Sequence, residues 1–302
     1  MRLVVVFISL WVSSISAANA VDLQTSYSSP LPHDSVIPVD APKSETQINT
    51  QVNAEPRFYI GLIIDDMGYR YQSGKRAINL PANITYSFLP YSPHARKLAN
   101  LANEKNKEIM LHIPMEANSG KKLGPGGLTL EMPKAIFDLE LRHNLSAIPY
   151  IKGVNNHMGS LLTEQNEQMA WLMETLATKE IYFVDSRTSV KSVALKAARN
   201  IGIRSDTRDV FVDHDLTEKS MLKQLAHAIQ VAKRKGSAVV IAHPFPETIK
   251  VLEKWLPRAK ALGFEFVYMS DLLKIRKDFE AQRTYEKRLT QWQAKHIKTT
   301  NN

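Results

Sequence analysis

The sequence predicts an α/β fold in which about seven parallel strands close as a (β/α) barrel, and three observations predict it. Short apolar runs recur at Phe58–Ile64, Ile84–Phe88, Glu108–Ile113, Tyr150–Val154, Ile181–Val184, Ala238–Ala242 and Phe264–Tyr268, each about the length of a buried strand. Segments of helical period lie between several of them. Met169, Leu172, Met173 and Leu176 share one helix face, and Met221, Leu222, Leu225, Ile229 and Ala232 share another. Strands alternating with helices imply parallel pairing, and about seven such units are enough to close a ring. The third observation is chemical: five of the runs end in ionisable residues, which a closed parallel barrel would gather on one face.

Taken from the N-terminus, the chain divides into four parts. Residues 1–20 read as a secretory signal: Arg2, an apolar run from Leu3 to Val12, then Ala18-Asn19-Ala20 as a small-x-small cleavage pattern. An uncleaved anchor is the alternative, and the polar Ser13–Ser16 stretch argues against it by ending the run early. Export to a periplasm is the expected localisation. Residues 21–56 hold five of the fifteen prolines and one aromatic residue, Tyr27, a composition that reads as a disordered linker. Residues 57–273 form the barrel domain. Within it Pro133 marks a helix start, Ile201–Val212 leaves room for a further short strand, and Glu116–Leu130, with four glycines, reads as a loop at the substrate rim. No Gly-Lys-Ser/Thr follows that loop, so it is not a phosphate cradle. Residues 274–302 form a basic tail, helical in part, with seven Lys/Arg against three Asp/Glu from Ile275 onward. Tyr285, Leu289 and Trp292 fall at helical spacing there, as for a helix that docks on an envelope protein or a membrane surface.

Composition removes several chemistries. The chain has no cysteine, which excludes disulfides, a thiol nucleophile and thiolate zinc sites. The formal charge of +9 attracts anions in general, but no nucleic-acid motif accompanies it.

The strand ends carry the chemistry. The first run ends in Asp65-Asp66, the third in His112-Ile113-Pro114-Met115-Glu116, the fourth leads into Asn155-Asn156-His157, the fifth ends in Asp185-Ser186-Arg187, and the sixth in His243-Pro244. Each has a plain structural reading: an Asp pair can cap a helix, a histidine beside a strand can be a core residue, and Asp185 with Arg187 can be an ion pair. Their recurrence at one topological position favours a site. Two histidines and a carboxylate suit a divalent ion, usually zinc, with a position left for water. A second carboxylate can accept the water's proton and a further histidine can protonate a leaving amine. Asp65, Asp66, His112, His157 and His243 fill these five roles.

The motifs I-I-D-D-M-G-Y, L-H-I-P-M-E, G-V-N-N-H-M-G-S, F-V-D-S-R-T and A-H-P, in that order over Tyr59–Leu273, resemble the divergent polysaccharide deacetylase family. The resemblance implies a distorted (β/α) barrel, a divalent metal, and removal of acetyl groups from N-acetylated sugars of a glycan substrate. It also implies roles: Asp65 as base, Asp66 and His112 on the metal, and His243 as acid. The main branch of the superfamily carries a histidine four residues after the first, where this chain has Glu116. His157 is the substitute ligand, with Glu116 a further ligand or a supporting group. Asp185 and Arg187 are expected to orient the base or contact substrate. A deacetylase-like barrel that binds glycan or a protein partner without catalysis is the second expectation.

Overall fold

The computed structural model describes residues 58–297. The signal and linker readings at 1–20 and 21–56, and the last five residues, lie outside them. Among the described residues nine strands form one all-parallel sheet. They are β1 (Phe58–Met67), β2 (Ile84–Phe88), β3 (Glu108–Met115), β4 (Ile151–Met158), β5 (Tyr182–Asp185), β6 (Ser205–Thr207), β7 (Val210–Phe211), β8 (Ser237–Ala242) and β9 (Phe264–Phe266). The seven runs seen in the sequence are all strands, and the Ile201–Val212 region holds two more, β6 and β7.

The order β6-β5-β4-β3-β2-β1-β8-β7 curls the sheet into a distorted barrel, with β9 added beside the start of β1. β6 and β7 stand at opposite edges of this path, yet only Arg208 and Asp209 separate them in the chain. Three residue steps span at most about 11 Å, so the edges come together across a two-residue step instead of a hydrogen-bonded seam. The seam is stapled from outside the sheet. Arg276 donates to Asp206 at 2.7 Å, to Asp209 at 2.6 Å and to the Ser237 hydroxyl at 2.9 Å, tying β6, the seam and β8 together.

Helices cover the outside. In chain order they are α1 (Tyr71–Ile78), α2 (Ala95–Glu104), α3 (Lys134–Ala147), α4 (Asn166–Ala177), α5 (Ala194–Asn200), α6 (Glu218–Lys235), α7 (Pro246–Ala261) and α8 (Met269–Ile297). Local signals set several ends: the Thr217 hydroxyl accepts the Ser220 N–H at the start of α6 and Gly236, at φ 86°, closes it; Pro246 opens α7. Their apolar faces and the outward strand residues Ile60, Leu62 and Ile64 make the larger core. None of the described helices is long and apolar enough to cross a membrane.

The inward residues follow a period of two and sort into two layers. Ile63, Met110, Tyr182, Val184, Val239 and Ile241 pack with Met269, Leu272 and Leu273 of α8. The first turns of α8 therefore plug one end of the barrel. Gly61 makes room for them: a Cβ there would lie 2.6 Å from Met269 Sδ. Buried Glu108 fixes the plug by accepting the Ser270 N–H at 3.1 Å, together with the Thr85 hydroxyl at 2.9 Å and the Tyr182 hydroxyl at 2.8 Å. Two residues further along the strands the inward positions turn polar: Asp65, Ser87, His112 and Asn155. The same alternation that builds the core thus opens a polar chamber at the strands' C-terminal ends. Beyond the plug, α8 runs on as an arm in which every residue from Glu280 to Trp292 is exposed.

Candidate metal centre and active site

In a regular strand Asp65 and Asp66 would face opposite sides of the sheet. The pairing register shifts here, with Ile64 opposite Tyr86 and Met67 opposite Phe88, so one extra residue is accommodated as a bulge. Asp66 takes φ 54°, and both carboxylates turn toward His112: its Nε2 is 3.2 Å from Asp66 Oδ1 and 3.8 Å from Asp65 Oδ2. Gly68 ends the bulge at φ 126°, where a Cβ would fall 1.8 Å from the Ser92 Oγ.

Three groups converge on one point. His157 Nδ1 lies 2.9 Å from Asp66 Oδ1 and 3.3 Å from His112 Nε2, which completes a triangle with the 3.2 Å His112–Asp66 edge. Ligand atoms about 2.1 Å from a tetrahedral ion stand about 3.4 Å apart, close to all three edges. The donor set fits a cation on a second count. Asp66 Oδ1 is buried and accepts no hydrogen bond of good geometry although both imidazoles face it, an orphaned charge of the kind burial penalises unless a cation meets it. Burial alone would raise the Asp66 pKa, but His112 and His157 hold it well below the usual carboxylate range.

Asn155 sets the histidine tautomer. Its amide nitrogen donates to Asp65 Oδ1 at 2.8 Å, so its oxygen faces the other way and accepts the Ser87 hydroxyl at 2.6 Å. The same oxygen lies 2.8 Å from His112 Nδ1, which must therefore carry the hydrogen. His112 Nε2 is the nitrogen that faces the triangle, where Asp65 and Asp66 favour its proton against burial; on losing that proton it would offer its lone pair to an ion, the arrangement a metal-binding histidine needs.

Asp65 sits beside the triangle, almost wholly buried. Burial lifts its pKa above the ordinary carboxylate value, against the pull of His112, His243 and the Asn155 hydrogen bond. On the other side His243 Nε2 is 3.9 Å from Asp66 Oδ2. Its Nδ1 is 2.9 Å from Asp213 Oδ1, while Asp213 Oδ2 accepts the His243 backbone N–H at 2.7 Å and the Thr248 hydroxyl at 2.9 Å. Burial opposes protonation of His243, yet the Asp213 hydrogen bond and charge push its pKa up to about 9.

The remaining expected residues lie apart from the triangle. Glu116 Oε2 accepts the Leu130 N–H at 2.7 Å, so its carboxylate ties the Gly-rich rim and is not among the three converging ligands. Asp185 is buried, with one oxygen on the Arg187 N–H and the other on the Ser192 hydroxyl, both at 2.7 Å. The two residues meet through backbone and not as an ion pair; the Arg187 side chain is exposed. Arg208 occupies the inner position instead. Partly buried, with its pKa lowered by burial against the charges of Asp65 and Asp185, it donates to the Ser186 carbonyl at 2.7 Å and stacks over Phe211. Sequence reasoning gave no role to Asp213, Arg208, Ser87 or Asn155. Asn155 stood inside a noted motif, two residues before His157 and therefore on the same strand face; Asp213 follows a strand of two residues, too short to signal.

Against known proteins, residues 62–273 match the family model described as divergent polysaccharide deacetylase. The uncharacterized protein YibQ of Escherichia coli (strain K12) is 35% identical over 195 residues, 65% of this chain and 61% of that protein. An uncharacterized protein of Haemophilus influenzae (strain ATCC 51907 / DSM 11121 / KW20 / Rd) is 36% identical over 197 residues, 65% of this chain and 70% of its own length. The match thus spans less than two thirds of YibQ. Among solved structures, the uncharacterized protein ATU2773 from Agrobacterium tumefaciens C58 superposes with a TM-score of 0.69 at 26% identity, over 71% of this chain and 89% of that one.

Proposed function

This chain belongs to the divergent polysaccharide deacetylase family, and we propose that it is an exported, metal-dependent hydrolase that removes acetyl groups from an N-acetylated polysaccharide, peptidoglycan among the candidates. The observation that carries this reading is the Asp66–His112–His157 triangle with a buried carboxylate on one side and an Asp213-bound histidine on the other. Zinc is the ion the two-imidazole, one-carboxylate set favours. When bound, it supplies a water of lowered pKa and polarises the substrate carbonyl.

The chain's own groups do the rest. Asp65, held by Asn155 with its free oxygen toward the triangle, accepts the water's proton; its raised pKa makes it a better base than an exposed aspartate. His243, whose pKa Asp213 raises, delivers a proton to the departing amine; Asp213 holds its ring at Nδ1 and its backbone N–H, and is itself fixed by the Thr248 hydroxyl. Arg208 places positive charge behind Asp65. Export to the periplasm rests on the N-terminal pattern at 1–20.

The test is acetate release from N-acetylglucosamine polymers by the zinc-loaded protein. Release is expected from the native chain, with a loss of about 10³-fold or more in Asp65→Asn. No release from any N-acetylated polymer with zinc, cobalt or manganese supplied would sink the reading. A glycan-binding role without catalysis would then be favoured if binding persisted.

A further inference from the structure

We propose that Arg187 is a specificity-determining residue at the edge of the site, and that the substrate is an acidic glycan carrying a carboxylate on or beside the acetylated sugar. The inference rests on the deacetylase reading and adds the substrate's charge class.

Of the carboxylates on the strand-end loops, Glu131 and Glu247 are exposed, and those nearest the chamber are already engaged. Asp65 is bonded by Asn155, Asp66 belongs to the triangle, Glu116 holds the Leu130 N–H, Glu164 accepts the Ser189 hydroxyl, Asp185 holds Arg187 N–H and Ser192, and Asp213 holds His243. The cations on the same loops are not. Arg70 after β1, Lys121 and Lys122 on the Gly-rich rim, and Arg187 and Lys191 after β5 are exposed, and among the described residues none pairs with a carboxylate. The strand-end face therefore offers unneutralised positive charge beside the catalytic chamber, which selects and steers anionic ligands.

Arg187 is the member whose backbone is fixed. Its N–H is held by Asp185 at 2.7 Å and its carbonyl by Arg208 Nη2 at 3.1 Å, and it is kept at φ 51°, a region that costs an ordinary residue on the order of 1 kcal/mol and clusters at functional sites. The residue before it is bonded into the chamber: the Ser186 Oγ is 3.2 Å from Asn155 Nδ2, the amide that also holds Asp65, and the Ser186 N–H donates to Asn156 at 2.9 Å. Asp185, two residues away, could have neutralised the guanidinium and is turned to backbone instead. What remains is a planar two-pronged donor on a rigid base at the exposed edge of the strand-end face, the form that recognises a carboxylate through two parallel hydrogen bonds.

The experiment compares two tetrasaccharides on the zinc-loaded full chain. One is a neutral N-acetylglucosamine tetramer; in the other, alternate rings carry a 3-O-lactyl carboxylate. Binding is followed by calorimetry and turnover by acetate release. A preference for the acidic tetramer of about tenfold or more is expected at 50 mM salt, shrinking as salt rises. Arg187→Ala should bring that preference close to one, through KM more than kcat, with Arg187→Lys recovering part of it. If Arg187→Ala does not fold, Arg187→Gln, which keeps most of the stem and removes the charge, gives the same reading. Equal handling of both tetramers at every salt concentration, or an unchanged preference in Arg187→Ala, overturns the inference even if acetate is released. Acidic-selective binding lost in Arg187→Ala but without acetate release upholds Arg187 and removes the deacetylase reading. Binding of neither tetramer overturns the inference.

Discussion

At the scale of single residues, the site turns on who holds each proton. A general acid must be protonated, so activity is lost as pH rises through its pKa. His243 owes most of its rise to about 9 to Asp213; without that partner, only the charges of Asp65 and Asp66 oppose burial, and its pKa falls. Asp213→Asn is therefore expected to move the alkaline limb of the kcat profile to lower pH and to cost about 10-fold or more at pH 8. A bound dication repels the imidazolium, so both limbs lie lower in the loaded protein, in the same order. An unmoved limb in Asp213→Asn would remove His243 as the acid. The ligands have a separate readout. Zinc binds the folded chain, so it should stabilise it by about 2.7 kcal/mol at a hundredfold excess over Kd and raise the melting temperature, and His157→Ala should abolish that gain in a thermal melt. These roles were only half legible in the sequence. Asp65, Asp66, His112, His157 and His243 stand at strand ends and could be found there. Asp213, Asn155 and Arg208 act through contacts 22 or more positions away in the chain, which no local pattern records.

At the scale of elements, two irregularities position the site, and both break the regular period that makes elements readable. The bulge at Asp65–Asp66 turns two neighbouring carboxylates to one side, whereas alternation would have sent them apart. The seam between β6 and β7 is made of strands of three and two residues, too short to show alternation, so the sequence marks the region as ambiguous instead of placing two strands in it. The seam lacks ladder hydrogen bonds and depends on Arg276, whose side chain is largely buried with those of Asp206 and Asp209. Removing Arg276 leaves buried Asp206 with no cation, while Asp209 keeps Lys235 and the Val239 N–H, at about 3 kcal/mol. Arg276→Met is expected to lower the melting temperature by about 10 °C and to speed amide exchange in β6 and β7 ahead of β3 and β4. A melt within about 2 °C of the native chain would show that the staple is not what holds the seam.

At the scale of the whole molecule, the barrel works because its two ends differ. One is plugged by α8; the other is left polar and holds the Asp66–His112–His157 triangle. The family match ends at residue 273, and the sequence places the start of the basic tail just beyond it. In the structure that point falls inside α8, between the plug residues Met269, Leu272 and Leu273 and the staple Arg276, with Phe279 further on against Tyr59. The reason is physical: helical period and charge change little across the boundary, so only the packing partners, Gly61 and the β6–β7 seam, reveal that the helix belongs to the domain until about Glu280. A truncation series separates the segments. A chain ending at Glu280 removes only exposed arm residues and should melt within a few degrees of the full chain. One ending at Leu273 loses the staple and Phe279, and should fall by about 10 °C. One ending at Tyr268 loses three buried apolar side chains at about 2–3 kcal/mol each, plus the cost of the open floor. That total is comparable with the whole stability of a domain, so this form should not give a cooperative urea transition. If it unfolds cooperatively near the full chain's midpoint, α8 is an appendage and the floor of the barrel is held by the strands alone.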